Sequence, residues 1–245
     1  KIFKLNLILS QMIKNVKCVI PNESMKKYLN SKYDISKNIN YHIISNAVLD
    51  QSIIIQSNKK VCDEWYKDKK LKKIIAVGRL TYQKNFDNLI QAFQIVFEFD
   101  PTTRLIIIGE GEDFNMLNDL KNKLNLHDYV KFLGYKKNPY KYIKNSDLFV
   151  MNSRWEGPGH VLIEAMCVGC PVITTDCDSG PSDTIKNGKY GLLVKSEEIQ
   201  QLSESMIYAL QNKEEMIFKL NKSKLYLNRF YTEKVTDKYL HLFSI

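Results

Sequence analysis

LKKIIAVGRLTYQKNFDNLIQAFQIVF (71–97) opens with a short apolar, β-branched run that ends at Gly78. It closes on Phe86, Leu89, Ile90, Phe93, Val96 and Phe97 at helical spacing. A strand followed at once by an amphipathic helix is the building unit of α/β proteins. The unit recurs down the chain. RLIIIG (104–109) precedes a helical pattern near 113–124, and YVKFLG (129–134) one near 139–145. LFVMN (148–152) precedes one near 160–168, and PVITT (171–175) one near 181–186, before GLLV (191–194). The strands are apolar runs rather than alternating ones, which suits a parallel sheet covered on both faces. The spacing predicts an α/β, doubly wound parallel sheet, followed by C-terminal helices near 196–212, 214–229 and 231–245.

Upstream the pattern thins. VKCVIPN (16–22), Glu23–Lys32 and YHIIS (41–45) read as strand, helix and strand, a βαβ piece too small to bury its own core. Residues 46–70 show little pattern and several lysines, and read as a linker. The charge follows the same division. Residues 1–73 carry fifteen Lys against six acids, whereas 74–245 carry 21 basic and 21 acidic groups. The net +9 therefore sits in the first third, on a neutral body. A nucleic-acid-binding module would carry its basic face on the regular part, so no nucleic-acid partner is expected. A peripheral contact between the basic third and an anionic membrane is compatible with the count, as is a merely solvated face.

No apolar run reaches the roughly 18–20 residues of a membrane span. The opening KIFKLNLILSQMIKNVKCVI mixes Lys and Asn through its apolar positions and does not read as a signal peptide. Five cysteines without framework spacing suggest a reducing, cytoplasmic setting. Cys167, Cys170 and Cys177 invite a zinc reading, but a fourth tetrahedral ligand is not evident, so they read as small buried hydrophobes and no metal is expected.

Ligands of open parallel sheets bind outside the strand C-terminal ends. Three loops there carry chemistry. After the first strand, Gly78 permits a close turn, and Arg79 and Lys84 place two cations before a helix N-terminus, the makings of a diphosphate clamp. Two loop cations are also commonly just solvated. After the second strand, Gly109-Glu110-Gly111 lacks the third glycine of a dinucleotide fingerprint and reads equally as a tight turn. After the fourth, Glu156-Gly157-Pro158-Gly159-His160-Val161 leads to Glu164, so two carboxylates flank one helix mouth, where they could accept hydrogen bonds from sugar hydroxyls. The plainer alternatives are a helix-start charge for Glu156 and a paired surface acid for Glu164.

With these motifs in hand, the sequence resembles the retaining glycosyltransferases of family 4, which have the GT-B architecture of two Rossmann-like domains facing a cleft. The resemblance is carried by GRLTYQKN (78–85), LIIIGEGED (105–113), VKFLGY (130–135), SDLFVMNSRWEGPGHVLIEAMCVGCPVITTD (146–176) and SGPSDTIKNGKYGLLV (179–194), in that order. It implies that Arg79 and Lys84 bind the donor diphosphate and stabilise the leaving group, in place of a metal. It implies that Glu156 contacts the donor sugar and Glu164 the ribose. Gly157, Gly159, His160 and Val161 would offer backbone contacts, and Gly134 and Tyr135 would lie near the nucleobase. His160 departs from the apolar or Asn residue commoner in the family, and reads as a surface or capping residue. The loop Asp178–Ser182 looks most like members that build bacterial capsule, lipopolysaccharide and oligosaccharides.

The resemblance also implies a domain layout. Residues 1–46 would be the tail of an acceptor-binding domain, 47–71 a hinge, 72–230 the donor domain, and 231–245 a crossover helix with little to pack on. The expected activity is transfer of a hexose or N-acetylhexosamine, with retention, from a nucleoside diphosphate sugar, favouring UDP, to a glycan or lipid-linked acceptor. No cofactor is expected. The protein would be cytoplasmic or peripheral on the inner membrane face. On this layout the chain is a fragment, binding nucleotide weakly and transferring no sugar alone. A nucleotide- or glycan-binding module that needs a second chain, and a nucleotide-sugar epimerase of the same architecture, are the competing readings.

Overall fold

A computed structural model describes residues 17–33, 40–177 and 180–243. The elements in chain order are β1 (Cys18–Ile20), α1 (Glu23–Tyr33), β2 (Tyr41–Ile43), α2 (Gln51–Ser57), α3 (Glu64–Lys67), β3 (Lys72–Val77) and α4 (Phe86–Phe99). They continue as β4 (Thr103–Ile108), α5 (Phe114–Lys123), β5 (Val130–Phe132), α6 (Tyr140–Lys144), β6 (Leu148–Met151) and α7 (His160–Cys167). The last are β7 (Val172–Asp176), α8 (Pro181–Thr184), β8 (Leu192–Lys195), α9 (Ile199–Gln211), α10 (Lys213–Asn221), α11 (Lys224–Leu227) and α12 (Thr232–Phe243).

Six strands form one parallel sheet in the order β5-β4-β3-β6-β7-β8. Successive residues of each strand feed opposite faces. Ile74, Leu105, Ile107, Leu148 and Val150 pack with Leu89 and Phe93 of α4 and Met206 of α9. Ile75, Ile106, Phe149 and Val172 pack with Ile143 of α6 and Leu162 of α7. Both faces are dry, which is why the strands read as unbroken apolar runs. The strand order reverses between β3 and β6, so their C-terminal ends part and leave a crevice.

Three expectations change. Residues 46–70 are not patternless: Asp50 caps α2, accepting from Ser52 N (2.7 Å) and Ile53 N (3.3 Å), and Asp63 accepts from Trp65 N (3.0 Å) to start α3. Ile53, Val61 and Tyr66 are buried against the sheet. The helix expected over 214–229 is divided into α10, α11 and a 3-10 turn at Asn228–Phe230. At the first division the Ser223 hydroxyl donates to Leu220 O (2.6 Å), a local bond of the kind that competes with regular helix.

The terminal helix does find a surface. Val235 and Leu242 are buried with Ile44, beside Val19 of the small parallel β1-β2 pair, and Lys17 donates to the Leu242 carbonyl. Tyr239 and Phe243 stay exposed, at 36% and 70%. The chain crosses twice at one place: Val48 N and Leu49 N donate to Phe230 O (2.9 and 3.0 Å), and Thr232 N donates to Leu49 O (2.9 Å). No helix among the described residues is long and apolar enough to cross a membrane.

Candidate functional site

The loop after β3 is held by its backbone. Gly78 N donates to Ile108 O (3.0 Å), Leu80 N to Glu110 O (2.9 Å), and Asp113 N to Leu80 O (3.0 Å). Leu80 is fully buried and anchors the loop, leaving Arg79 exposed beside it. The β4 loop can approach this closely only because it has glycines. A Cβ on Gly109 (φ +148°) would lie 1.8 Å from Gly78 O, and one on Gly111 would lie 2.2 Å from Leu80 O. Of the two readings of Gly109-Glu110-Gly111, the tight structural turn therefore accounts for both glycines. Glu110 turns outward and accepts from Tyr135 N (3.1 Å).

The loop after β6 is bolted to the first loop. Arg154 forms ion pairs with Asp87 (3.0 Å) and Glu197 (2.6 Å), and donates to Tyr82 O (2.6 Å). Its guanidinium lies 3.9 Å from the Tyr82 ring centroid. Arg154 N donates to Gln83 O (2.8 Å), and Gln83 returns a bond to Trp155 O (2.9 Å). These contacts fix the 3-10 turn Tyr82–Lys84 against Ser153–Glu156. Lys84 and Glu156 meet as an ion pair, with side chains only 18% and 16% exposed. Glu156 also accepts from the Ser153 hydroxyl (3.2 Å). It is thus a paired loop acid rather than a helix-start charge.

The approach to α7 needs glycine in a different way. Gly159 sits at φ +72°, and a Cβ there would meet Met151 Cε at 2.8 Å. Behind the loop, Gly180 backs onto Gly157, whose carbonyl a Cβ would strike at 1.7 Å, and Thr184 donates to Pro158 O (2.7 Å). His160 opens α7, is exposed, and holds its Nε2 2.9 Å from Asn46 Nδ2. The surface reading of His160 stands, with the partner 114 residues away.

Glu164 is not a paired surface acid. It is half-buried, and Tyr140 donates to its Oε1 at 3.4 Å. Burial pushes its carboxyl from the ordinary 4.5 up to about 7; the Tyr140 bond pulls it down and the charge of Asp50 pushes it further up. Burial, then the charge of Glu164, lifts Tyr140 to about 12.

These groups line three cavities that share wall residues. One of about 590 Å³ takes Gly78, Arg79, Lys84, Glu156, His160 and Glu164, with Gly157, Gly159, Val161 and Asn46 also on its wall. A second of about 420 Å³ is walled by Glu110, Tyr135 and Tyr140, and a third of about 460 Å³ by Tyr82, Trp155 and Glu156. Arg79 belongs to all three. Gly134 does not line them. It turns the chain at φ +66°, and its carbonyl accepts from Gly109 N (3.0 Å), placing Tyr135 at the second cavity.

Two cations, two carboxylates and a glycine-bearing helix start thus converge on one crevice. The arrangement can hold an anionic group at Arg79 and Lys84 while carboxylates accept from hydroxyls on either side. Among the described residues no group of three or more His, Cys, Asp or Glu side chains is arranged to hold a metal. Residues 178 and 179 of the Asp178–Ser182 loop lie outside the described residues. Sequence reasoning passed over Arg154, Asn46 and Tyr140; their roles depend on partners far along the chain.

The sequence profile described as "Glycosyl transferases group 1" matches residues 58–224. An uncharacterized glycosyltransferase of Methanocaldococcus jannaschii is 38% identical, over 72% of this chain and 47% of that protein. The amylovoran biosynthesis glycosyltransferase AmsD of Erwinia amylovora is 30% identical, over 75% of this chain and 50% of that protein. In fold, the chain is similar to a mutant of TarM from S. aureus, solved in complex with fondaparinux, alpha-GlcNAc-glycerol and UDP. The TM-score is 0.77 at 24% identity, over 94% of this chain and 44% of that one. The chain spans about half the length of the curated relatives it matches.

Proposed function

This chain belongs to the group 1 glycosyl transferases, and on that premise we propose that residues 72–230 are the donor-binding half of a retaining, metal-independent enzyme. It transfers a hexose or N-acetylhexosamine from a nucleoside diphosphate sugar, UDP in first place, to a hydroxyl of a glycan or lipid-linked acceptor in bacterial surface polysaccharide assembly. The observation that carries the reading is the convergence of Arg79, Lys84, Glu156 and Glu164 on one cavity at the sheet's switch point. Arg79 and Lys84 hold the diphosphate and stabilise the charge that develops as it leaves, the task a metal performs elsewhere. Glu156 takes the sugar hydroxyls and Glu164 the ribose. The backbone of Gly157, Gly159, His160 and Val161 contacts the sugar and phosphates, and Tyr135 borders the base.

UDP in the TarM complex and the amylovoran role in the name of AmsD support the choice of nucleotide and pathway class. Calorimetric titration with UDP, GDP, ADP and a UDP-sugar tests the reading. UDP should bind best. Lys84→Ala should weaken it by roughly 10- to 100-fold, the loss of one charge-assisted bond. Glu156→Ala should remove the extra affinity contributed by the sugar while leaving UDP itself bound at least as tightly, because Lys84 then has no carboxylate to give up. Wild-type titrations from both variants would sink the assignment.

The chain's half-length match favours a second element of the reading: the acceptor-binding half lies elsewhere, with residues 1–46 its tail and 47–71 the hinge. The chain alone then binds donor without transferring sugar. Transfer to a glycan acceptor by this chain alone would contradict it.

A further inference from the structure

α10 and α11 form a nearly continuous helical rod over residues 213–227, because Lys222 and Ser223 between them keep right-handed helical dihedrals. One side of the rod is core. Met216, Leu220, Ser223 and Leu227 recur at helical spacing and are buried. A helix that only packs inward should be polar on its other side. This one instead presents Ile217, Phe218 and Leu225, which are 47%, 60% and 85% exposed.

At about 100° per residue, Phe218 stands opposite Met216 and Leu220, and Leu225 opposite Ser223 and Leu227, so both face away from the core. Lys222 flanks them on one side, its ammonium 3.9 Å from the Phe218 ring centroid, and Lys224 flanks them on the other beside Ile217. Neither Lys222 nor Lys224 pairs with a carboxylate among the described residues. Lys213 and Lys219, by contrast, are held by Asp147 (2.5 Å) and Glu215 (3.7 Å). Glu214 shares the outer face at the start of α10, one turn before Phe218.

We propose that this face is an interfacial contact for an anionic lipid bilayer. Phe218, Leu225 and Ile217 enter the headgroup layer, while Lys222 and Lys224 meet lipid phosphates. Apolar side chains flanked by unpaired ammonium groups are the layout of a helix that lies in the membrane interface. A stable protein interface needs about 800 Å² from each partner, and three isolated side chains fall well short of that. The inference goes beyond the donor-site reading and uses none of its residues. Its two lysines lie outside the lysine-rich first third of the sequence.

Vesicle flotation tests it, with phosphatidylcholine alone and with phosphatidylcholine mixed with phosphatidylglycerol. The wild-type chain should float with the anionic vesicles and not with the neutral ones. Lys222→Glu with Lys224→Glu should lower binding roughly 25-fold or more, at about fivefold per lysine. Phe218→Ser with Leu225→Ser should lower it similarly, and Lys26→Glu with Lys27→Glu should leave it unchanged. All these positions are at least partly solvent-exposed, and unchanged melting curves verify folding. Leu225→Trp adds a readout that needs no loss of binding, a blue shift of its emission on anionic vesicles. The proposal falls if the wild type ignores anionic vesicles, if the helix variants bind as the wild type does, or if the Trp emission stays unshifted. It falls equally if light scattering finds a dimer that Phe218→Ser with Leu225→Ser dissociates while vesicle binding persists.

Discussion

Glu164→Gln separates what the cleft costs from what it does. Glutamine keeps an acceptor for the Tyr140 hydroxyl and removes the ionisable proton. With the folded carboxyl at about 7 and the ordinary value at 4.5, the native state retains a proton that the unfolded chain releases between those pH values. Native stability therefore falls as pH rises through that window, and the full loss is present above about pH 7. At about 1.36 kcal/mol per pH unit the loss reaches ~3 kcal/mol, an upper bound because Glu164 is only half-buried and water screens part of its charge.

The glutamine variant should accordingly be more stable than the wild type near pH 8 by up to ~3 kcal/mol. In melting temperature that is about 6–12 °C for a chain of this size. Near pH 4, where both states are protonated, the two proteins should differ by only a few tenths of a kcal/mol. Thermal melts at the two pH values measure this directly. On the proposed role of Glu164 at the ribose, the same variant should bind UDP about 10- to 100-fold more weakly near pH 8, through loss of a charged acceptor. A stability gain of equal size at both pH values would refute the proton argument and point to packing. No gain near pH 8 would mean that the carboxylate is well solvated in the cleft.

Arg154→Ala should cost on the order of 2 kcal/mol, since it strands Asp87 and Glu197 and frees the Tyr82 ring. It should also weaken UDP binding by loosening the turn that carries Lys84; Arg154→Lys should not restore either property, because an ammonium cannot make the forked contact. Melting curves and calorimetry report both effects. Gly109→Ala should cost ~3 kcal/mol or more, because its Cβ would overlap the Gly78 carbonyl, whereas Gly157→Ala should melt as the wild type does, since a Cβ there meets nothing within 4 Å. Melting temperatures of the two alanine variants, measured side by side, decide between them.

The sheet was legible because its central strands are dry on both faces, so Ile74–Val77, Leu105–Ile108 and Leu148–Met151 announce themselves without their partners. The site was legible as far as it is local. Arg79 and Lys84 follow one strand, Glu156 and Glu164 follow another, and a parallel sheet brings both loops to the same end. What the sequence hid depends on distant pairs. Arg154 sits inside a motif read for its acids, and its partners Asp87 and Glu197 lie 67 and 43 residues away. The Asn46–His160 contact spans 114 residues. The short helices α2 and α3 bury too few side chains to show a period, so only their Asp caps could have revealed them. The crossover helix was judged by how little chain precedes it, yet one small parallel pair of strands suffices to bury Val235 and Leu242.

The ion pair between Lys84 and Glu156 makes the cleft its own counterion. An anion that reaches Lys84 must compete with a carboxylate already seated there, one that the Ser153 hydroxyl (3.2 Å) and Gly157 N (3.3 Å) also hold in place. A molecule that brings an anionic group for Lys84 and hydroxyls for Glu156 would replace both halves of the pair at once, whereas a bare anion replaces only one.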